Sequence, residues 1–245
     1  NAYEFQKTLS NYAAITHYQI PKKPSQNQIM ALIDSLSNHN LVIIGIHGTN
    51  RSPRKKFGIT NETMELVKSL NAVHPCIVSL FSNPYALGLY REFERVNGLV
   101  MSYENTPLAQ EYSAQLIFGG IPAKGKLPVS GSARFPSGSG LSTSKTRFKY
   151  SIPVDEGFNM NKLNYIDSIV LNGIEEKAYP GCQVLIARRG NVVYNKSFGH
   201  HTYEKKRPVK TTDLYDLASI TKVTASVPNL MNMCQKGWLN LDYNL

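Results

Sequence analysis

Leu41-Val-Ile-Ile-Gly-Ile46, Cys76-Ile-Val-Ser-Leu-Phe81 and Gly98-Leu-Val-Met-Ser-Tyr103 are three short, almost unbroken apolar runs. Runs of this length suit strands buried on both faces. Helical patterns lie between and around them. Ile29, Leu32, Ile33 and Leu36 recur at helical spacing behind Pro24-Ser25, with Ser25 placed to cap. Leu66, Leu70 and Val73 repeat the pattern behind Thr60-Asn61-Glu62, with Val67 beside them. Leu108 to Phe118 reads as a further helix, stopped by Gly119-Gly120. Strands that alternate with helices predict an α/β fold: a mostly parallel sheet sandwiched by helices, over residues 1–141. Ala13–Tyr18 is a candidate for one more strand.

Beyond Pro136 the grammar changes. Ser137-Gly-Ser-Gly-Leu-Ser-Thr-Ser-Lys145 has no apolar period, and residues 142–157 read as a linker. Residues 158–245 then read as a smaller α+β piece. A helix from Asn161 to about Lys177 carries Leu163, Ile166, Ile169, Val170 and Ile174 on one face and ends at Pro180-Gly181. Cys182–Ala187 and Val192–Phe198 flank Arg188-Arg-Gly190-Asn191 as a β-hairpin. A last helix spans about Ser219 to Gln235, and Pro228 inside it should kink or split it.

Composition removes several classes. No apolar run reaches the ~20 residues of a bilayer-spanning helix, and the start, Asn1-Ala2-Tyr3-Glu4, has no basic-then-apolar signal pattern. Asn1-Ala2 itself has the look of an expression-tag remnant. The net charge of +10 includes clusters at Arg51-Ser-Pro-Arg54-Lys55-Lys56 and Lys205-Lys206-Arg207. Neither interleaves aromatics in a nucleic-acid motif, so solvated loops or contact with an anionic envelope polymer are expected instead. Cys76, Cys182 and Cys234 lie far apart and are odd in number, which fits buried free thiols and neither a disulfide framework nor a metal site. No histidine shows ligand spacing, and His200-His201 is expected in an exposed turn. No cofactor or metal is implied.

Two places carry candidate chemistry. At the carboxyl ends of the expected strands stand His47, Ser82-Asn83 and Glu104-Asn105, where sheets of this kind bind ligands. They are either a site or simple loop caps. Gly45-Ile-His-Gly48 is a poor phosphate loop, which counts against a nucleotide-binding domain. The second place is Ser219-Ile-Thr-Lys222, one of three Ser-x-x-Lys matches. Ser52-Pro-Arg-Lys55 lies in a basic loop and Ser142-Thr-Ser-Lys145 in the linker, so neither has a scaffold. On a helix, residues three apart share a face. A lysine near a helix N-terminus is pushed toward the neutral amine and can take the serine proton, while the Ser219 N–H can face an oxyanion. The alternative leaves Ser219 a helix cap and Lys222 a surface charge.

Resemblance bears on both regions. Pro180-Gly-Cys-Gln-Val-Leu-Ile-Ala-Arg-Arg-Gly190, Phe198-Gly199, Tyr215-Asp-Leu-Ala-Ser219-Ile-Thr-Lys222 and Lys236-Gly-Trp-Leu-Asn-Leu-Asp242 resemble the N-terminal part of the class C-like serine β-lactamases and D-alanyl-D-alanine carboxypeptidases. The resemblance implies an acylated nucleophile at Ser219 and an assisting lysine at Lys222. It also implies a later Tyr-x-Asn loop and a Lys- or His-x-Gly strand edge. Only 23 residues follow Lys222, so a truncated site without efficient acyl transfer is expected. Leu80-Phe-Ser-Asn83-Pro84-Tyr85, Val100–Glu104 and Phe118-Gly-Gly-Ile-Pro-Ala-Lys-Gly-Lys-Leu-Pro-Val-Ser130 resemble the C-terminal α/β sandwich of family 3 glycoside hydrolases of the β-N-acetylglucosaminidase type. That family keeps its nucleophile and acid/base on a preceding barrel, so an accessory role is implied for residues 10–141.

Taken together, these resemblances imply a piece of a peptidoglycan hydrolase that works outside the cytoplasm. The other reading is a non-catalytic glycan- or partner-binding module. An uncovered hairpin and helix would favour self-association.

Overall fold

A computed structural model describes residues 3–242, which fall into two compact units dividing at Thr211/Thr212. The first unit contains an α/β sandwich. Strands β1 (Val42–Ile46), β2 (Cys76–Leu80) and β3 (Gly98–Met101) form a parallel sheet in the order β1-β2-β3. In a pleated strand alternate side chains leave by opposite faces, and both faces here are apolar. Val42, Ile44 and Cys76 meet Ile29, Leu32, Leu36, Leu66 and Leu70 on one side, from helices α2 (Gln26–Ser35) and α3 (Asn61–Val73). Ile43 and Phe81 meet Phe5, Leu9 and Ala114 on the other, from helices α1 (Glu4–Ser10) and α4 (Pro107–Ile117). A third cluster around Val67, Val78, Leu80 and Phe93 closes the carboxyl end of the sheet. Each fully buried aliphatic of this kind stabilises the fold by roughly 1.5–3 kcal/mol relative to exposure.

The helix starts follow the expected chemistry. Ser25 Oγ accepts from Gln28 N–H while the Gln28 amide oxygen accepts from Ser25 N–H, a reciprocal cap. Thr60 Oγ1 accepts from Thr63 N–H at 3.1 Å. Two readings change. Ala13–Tyr18 forms no regular strand. Helix α4 is present, but it buries Gln110, Ser113, Ala114 and Gln115 and leaves Leu108 61% exposed. Its inward hydroxyl and amides are paired: Ser113 Oγ donates to Ser102 Oγ at 2.7 Å, and Ser102 and Ser79 hydroxyls lie 2.8 Å apart. Helix α1 had no counterpart in the sequence reading.

The same unit continues into a second sheet. Strands β4 (Lys149–Tyr150), β5 (Gly181–Arg188) and β6 (Asn191–Gly199) lie in the order β4-β6-β5. β4 arises within the stretch 142–157 that composition reads as a linker. Its anchor is buried Gln115, whose amide accepts from Tyr150 N–H at 2.8 Å and donates to Tyr150 C=O at 3.1 Å. The hairpin β5–β6 is joined by Arg189-Gly190, both in the left-handed region at φ +53 and +78. That is the two-residue turn whose twist matches paired strands. A register shift beside Ile186/Ala187 puts Val192, Val193 and Tyr194 all inside.

Helix α5 (Met160–Glu175) runs beside β6, capped by Asn159. Leu163 and Val170 are buried, whereas Ile169 and Leu171 stay exposed. Asp167 of α5 accepts from Tyr194 OH and pairs with Lys196 Nζ at 2.7 Å, tying helix to strand. These two donors hold the Asp167 carboxyl below the usual range, the lysine bond contributing most.

The cysteine expectation is met only at Cys76. All three thiols are free, but Cys182 and Cys234 are half-buried. His200 and His201 are half-buried as well, because His200 bridges Pro208 and His201 N–H donates to Arg207 C=O. Among the described residues no helix is long and apolar enough to cross a membrane.

Candidate functional site

In the unit from Thr212 the chain reaches the nucleophile candidate through an irregular stretch that ends in an Asp turn. Asp216 Oδ1 accepts from Ala218 N–H at 2.9 Å, and Ala218 sits at φ +43, a conformation rarely adopted by a residue with a side chain. Three successive short-range bonds follow: Ile220 N–H to Leu217 C=O, Thr221 to Ala218 and Lys222 to Ser219. They wind the backbone tightly enough to lay Lys222 over Ser219. Lys222 Nζ lies 3.1 Å from Ser219 Oγ. That separation suits a hydrogen bond in either direction.

Pro228 does split the helix. Lys222–Ser226 is π-helical, and an α-helix, α6 (Val227–Gln235), takes over with Pro228 in its first turn. Proline at a helix start loses no internal bond, and single π turns accommodate the change of ladder. The far end closes with Gly237 N–H on Cys234 C=O and Trp238 N–H on Met233 C=O, with Gly237 at φ +72. That is the left-handed glycine stop.

The other two Ser-x-x-Lys matches are not assembled this way. Lys145 Nζ donates to Gly190 C=O at 2.9 Å, and Ser52 C=O accepts from Lys55 N–H in a surface turn. What the sequence reading missed here are Asp216 and Ala218. An Asp two residues before a small residue and three before the serine was the available signal, an Asx turn that sets the entry angle.

At the carboxyl ends of the parallel strands the candidates separate. Asn83 caps a short turn, its Oδ1 accepting from Tyr85 N–H at 3.0 Å. Glu104 is exposed, and Ser82 is buried with its hydroxyl unpaired. His47 and Asn105 do meet, Nδ1 to Oδ1 at 2.8 Å, and Gln110 Nε2 donates to the same oxygen at 2.8 Å. An amide oxygen can only accept, so the ring proton sits on Nδ1. The ring stacks between Tyr3 at 4.2 Å and Phe81 at 4.5 Å. Burial lowers the His47 pKa, and the bond to Asn105 offsets part of that. Among the described residues no group of three His, Cys, Asp or Glu side chains is placed to hold a metal. The basic clusters at Arg51–Lys56 and Lys205–Arg207 stand on the surface.

Comparison with known proteins bears on the segment that holds Ser219. Residues 166–244 match the beta-lactamase family. Protein flp of Staphylococcus aureus strain NCTC 8325 is 32% identical over 77 residues, 31% of this chain and 15% of that protein. A putative D-alanyl-D-alanine carboxypeptidase of Escherichia coli O157:H7 is 35% identical over 99 residues, 38% of this chain and 23% of that protein. The chain thus spans less than a quarter of either relative. No solved structure matches the chain significantly. The β-lactamase-like segment is the hydrolase-related part of the molecule, and Ser219 and Lys222 lie inside it.

Proposed function

We propose that Ser219 is the acyl-accepting nucleophile and Lys222 its base, in a serine hydrolase site of the β-lactamase and D-alanyl-D-alanine carboxypeptidase kind. The observation that carries this reading is the 3.1 Å approach of Lys222 Nζ to Ser219 Oγ inside the segment that matches the family. In the acyl step Ser219 Oγ adds to the substrate carbonyl as its proton passes to the lysine amine. Collapse of the tetrahedral adduct then breaks the carbonyl–nitrogen or carbonyl–oxygen bond. The lysine proton leaves with the departing amine or alcohol.

Both side chains are exposed in this chain, where water screens the lysine and competes for the serine. Electrostatic stabilisation of an oxyanion works best in a dry, preorganised site. The chain by itself is therefore proposed to acylate slowly and to turn over little.

The sandwich of residues 10–141 is proposed as an accessory domain of a β-N-acetylglucosaminidase-type glycosidase, on its resemblance alone. The two parts together suggest peptidoglycan as the substrate of the whole protein, a bacterial site of action outside the cytoplasm, and an upstream barrel domain as the partner of the sandwich.

Incubation with a fluorescent penicillin and with an activated ester tests the nucleophile. A stable adduct on the peptide that contains Ser219, lost in Ser219→Ala and slowed in Lys222→Ala, is the expected outcome. No adduct from either reagent would leave the segment non-catalytic. Titration with N-acetylglucosamine oligomers separates the alternatives for the sandwich, since saturable binding would mark a glycan-binding module in its own right.

A further inference from the structure

β1 is an edge strand. Val42 N–H bonds Pro75 C=O, and Ile46 C=O accepts from Phe81 N–H, so Val42, Ile44 and Ile46 point their backbone groups at β2. In a parallel ladder the intervening residues point the other way. Ile43 and Gly45 therefore present two N–H and two C=O groups along the outer edge, and no described residue bonds them. Both residues are half-buried, so these groups are not freely hydrated.

Across that edge lies a cavity of about 610 Å³, lined by Leu41–Gly48 on one side and Ala13–Lys22 on the other. The far wall is Ala13–Tyr18, the segment whose sequence reads as a strand. The backbone groups of Ile15, Thr16 and His17 also bond nothing among the described residues. Above the sheet plane the cavity is walled by Phe5, Leu9 and Phe118, and below it by Leu32, Leu36 and Leu70.

We propose that this cavity is a docking slot for one extended, uncharged polypeptide strand, hydrogen-bonded to Ile43 and Gly45. Three features select that occupant. The outward N–H and C=O groups repeat along a strand edge and are answered in full by another backbone. The apolar walls above and below the sheet plane call for a strand that is apolar on both alternating faces, the kind found inside parallel sheets. The edge stops short of Ala13–Tyr18, and strands in contact lie about 4.8 Å apart. An inserted strand would restore pairing that the wall segment does not supply. A small apolar ligand would fill the space and leave the backbone groups unpaired. The inference does not depend on the role of Ser219.

The test uses the full chain and a blocked peptide, acetyl-Lys-Val-Ile-Val-Ile-Thr-Val-Lys-amide, with the same sequence N-methylated at alternate residues as control. Amide exchange is followed residue by residue. The expected result is fast exchange at Ile43 and Gly45 in the free chain, slowed about tenfold or more by the peptide and unchanged by the control. Ile43→Pro removes an outward N–H that β2 does not use and should abolish the protection. The N-methylated peptide reads the same point without altering the fold. Equal protection by both peptides, or none by either, overturns the proposal. Protection in the free chain overturns it too: if independent of concentration, Ala13–Tyr18 already closes the edge; if it grows with concentration, a second copy does.

Discussion

The sheet of residues 42–101 and the stretch 214–241 are both rich in apolar side chains, and the molecule treats them in opposite ways. Val67, Val78, Leu80 and Phe81 have no accessible surface, whereas Leu214 is 97%, Trp238 70% and Leu241 80% exposed. In the sheet, burial on both faces makes geometry a consequence of packing. Around Ser219 the geometry rests on backbone bonds, one Asp turn and a glycine stop. The sandwich should therefore be sensitive to lost volume and the Ser219 segment to lost turns.

Core truncation tests that contrast most severely. Phe81→Ala removes a ring between Phe5 and His47 and should cost about 3–5 kcal/mol in urea unfolding; a loss under 1 kcal/mol would mean that the sheet is not the stable part. Gln115→Leu is the next step down. It leaves the Tyr150 N–H and C=O unpaired at about 1–3 kcal/mol for such a loss, and it should raise amide exchange at Tyr150 ahead of global unfolding.

Acid provides a smaller, graded effect. Burial lowers the pKa of both His47 and His17 in the folded chain. The unfolded chain then binds more protons below the ordinary value of about 6.5. Their stabilising contribution is complete above that pH and is lost as pH falls through the lowered folded values. Urea midpoints from pH 8 to 4 should drop, and the drop should shrink in His47→Gln.

Thiol labelling compares the regions directly. Burial pushes the Cys76 thiol up to about 11, so at pH 8 about one molecule in a thousand carries the thiolate there. Cys76 should resist alkylation until the sandwich opens, and early labelling would deny that it is closed. Ser219→Ala is the smallest perturbation. An exposed hydroxyl should change stability by no more than about 0.5 kcal/mol, and a larger loss would show that the segment is packed after all.

The sequence made the parallel strands, α2, α3 and the hairpin legible because each rests on short-range pattern: an apolar run, a cap three residues from its partner, a glycine in a two-residue turn. It made α4 legible as a helix and misjudged its buried face. Gln110, Ser113 and Gln115 face inward because they find partners in Asn105, Ser102 and Tyr150, which are close only once the chain has folded. β4 was hidden for the same reason, since two residues in a Ser/Gly-rich stretch become a strand only against β6. At the candidate site the pairing of Ser219 with Lys222 followed from spacing. The strained Ala218 and the π turn did not, because neither leaves a periodic trace.

That π turn has a mechanical meaning. Each of its bonds spans one residue more than an α bond, so the ladder slips by a tooth between Lys222 and Val227, and the side chains beyond are rotated by about 100° against those before it. The segment works as a ratchet set one notch forward. Removing a single residue from Thr224-Ala-Ser226 would return the notch and turn the Ser219–Lys222 face a quarter-circle or more around the axis of α6, with both residues chemically intact.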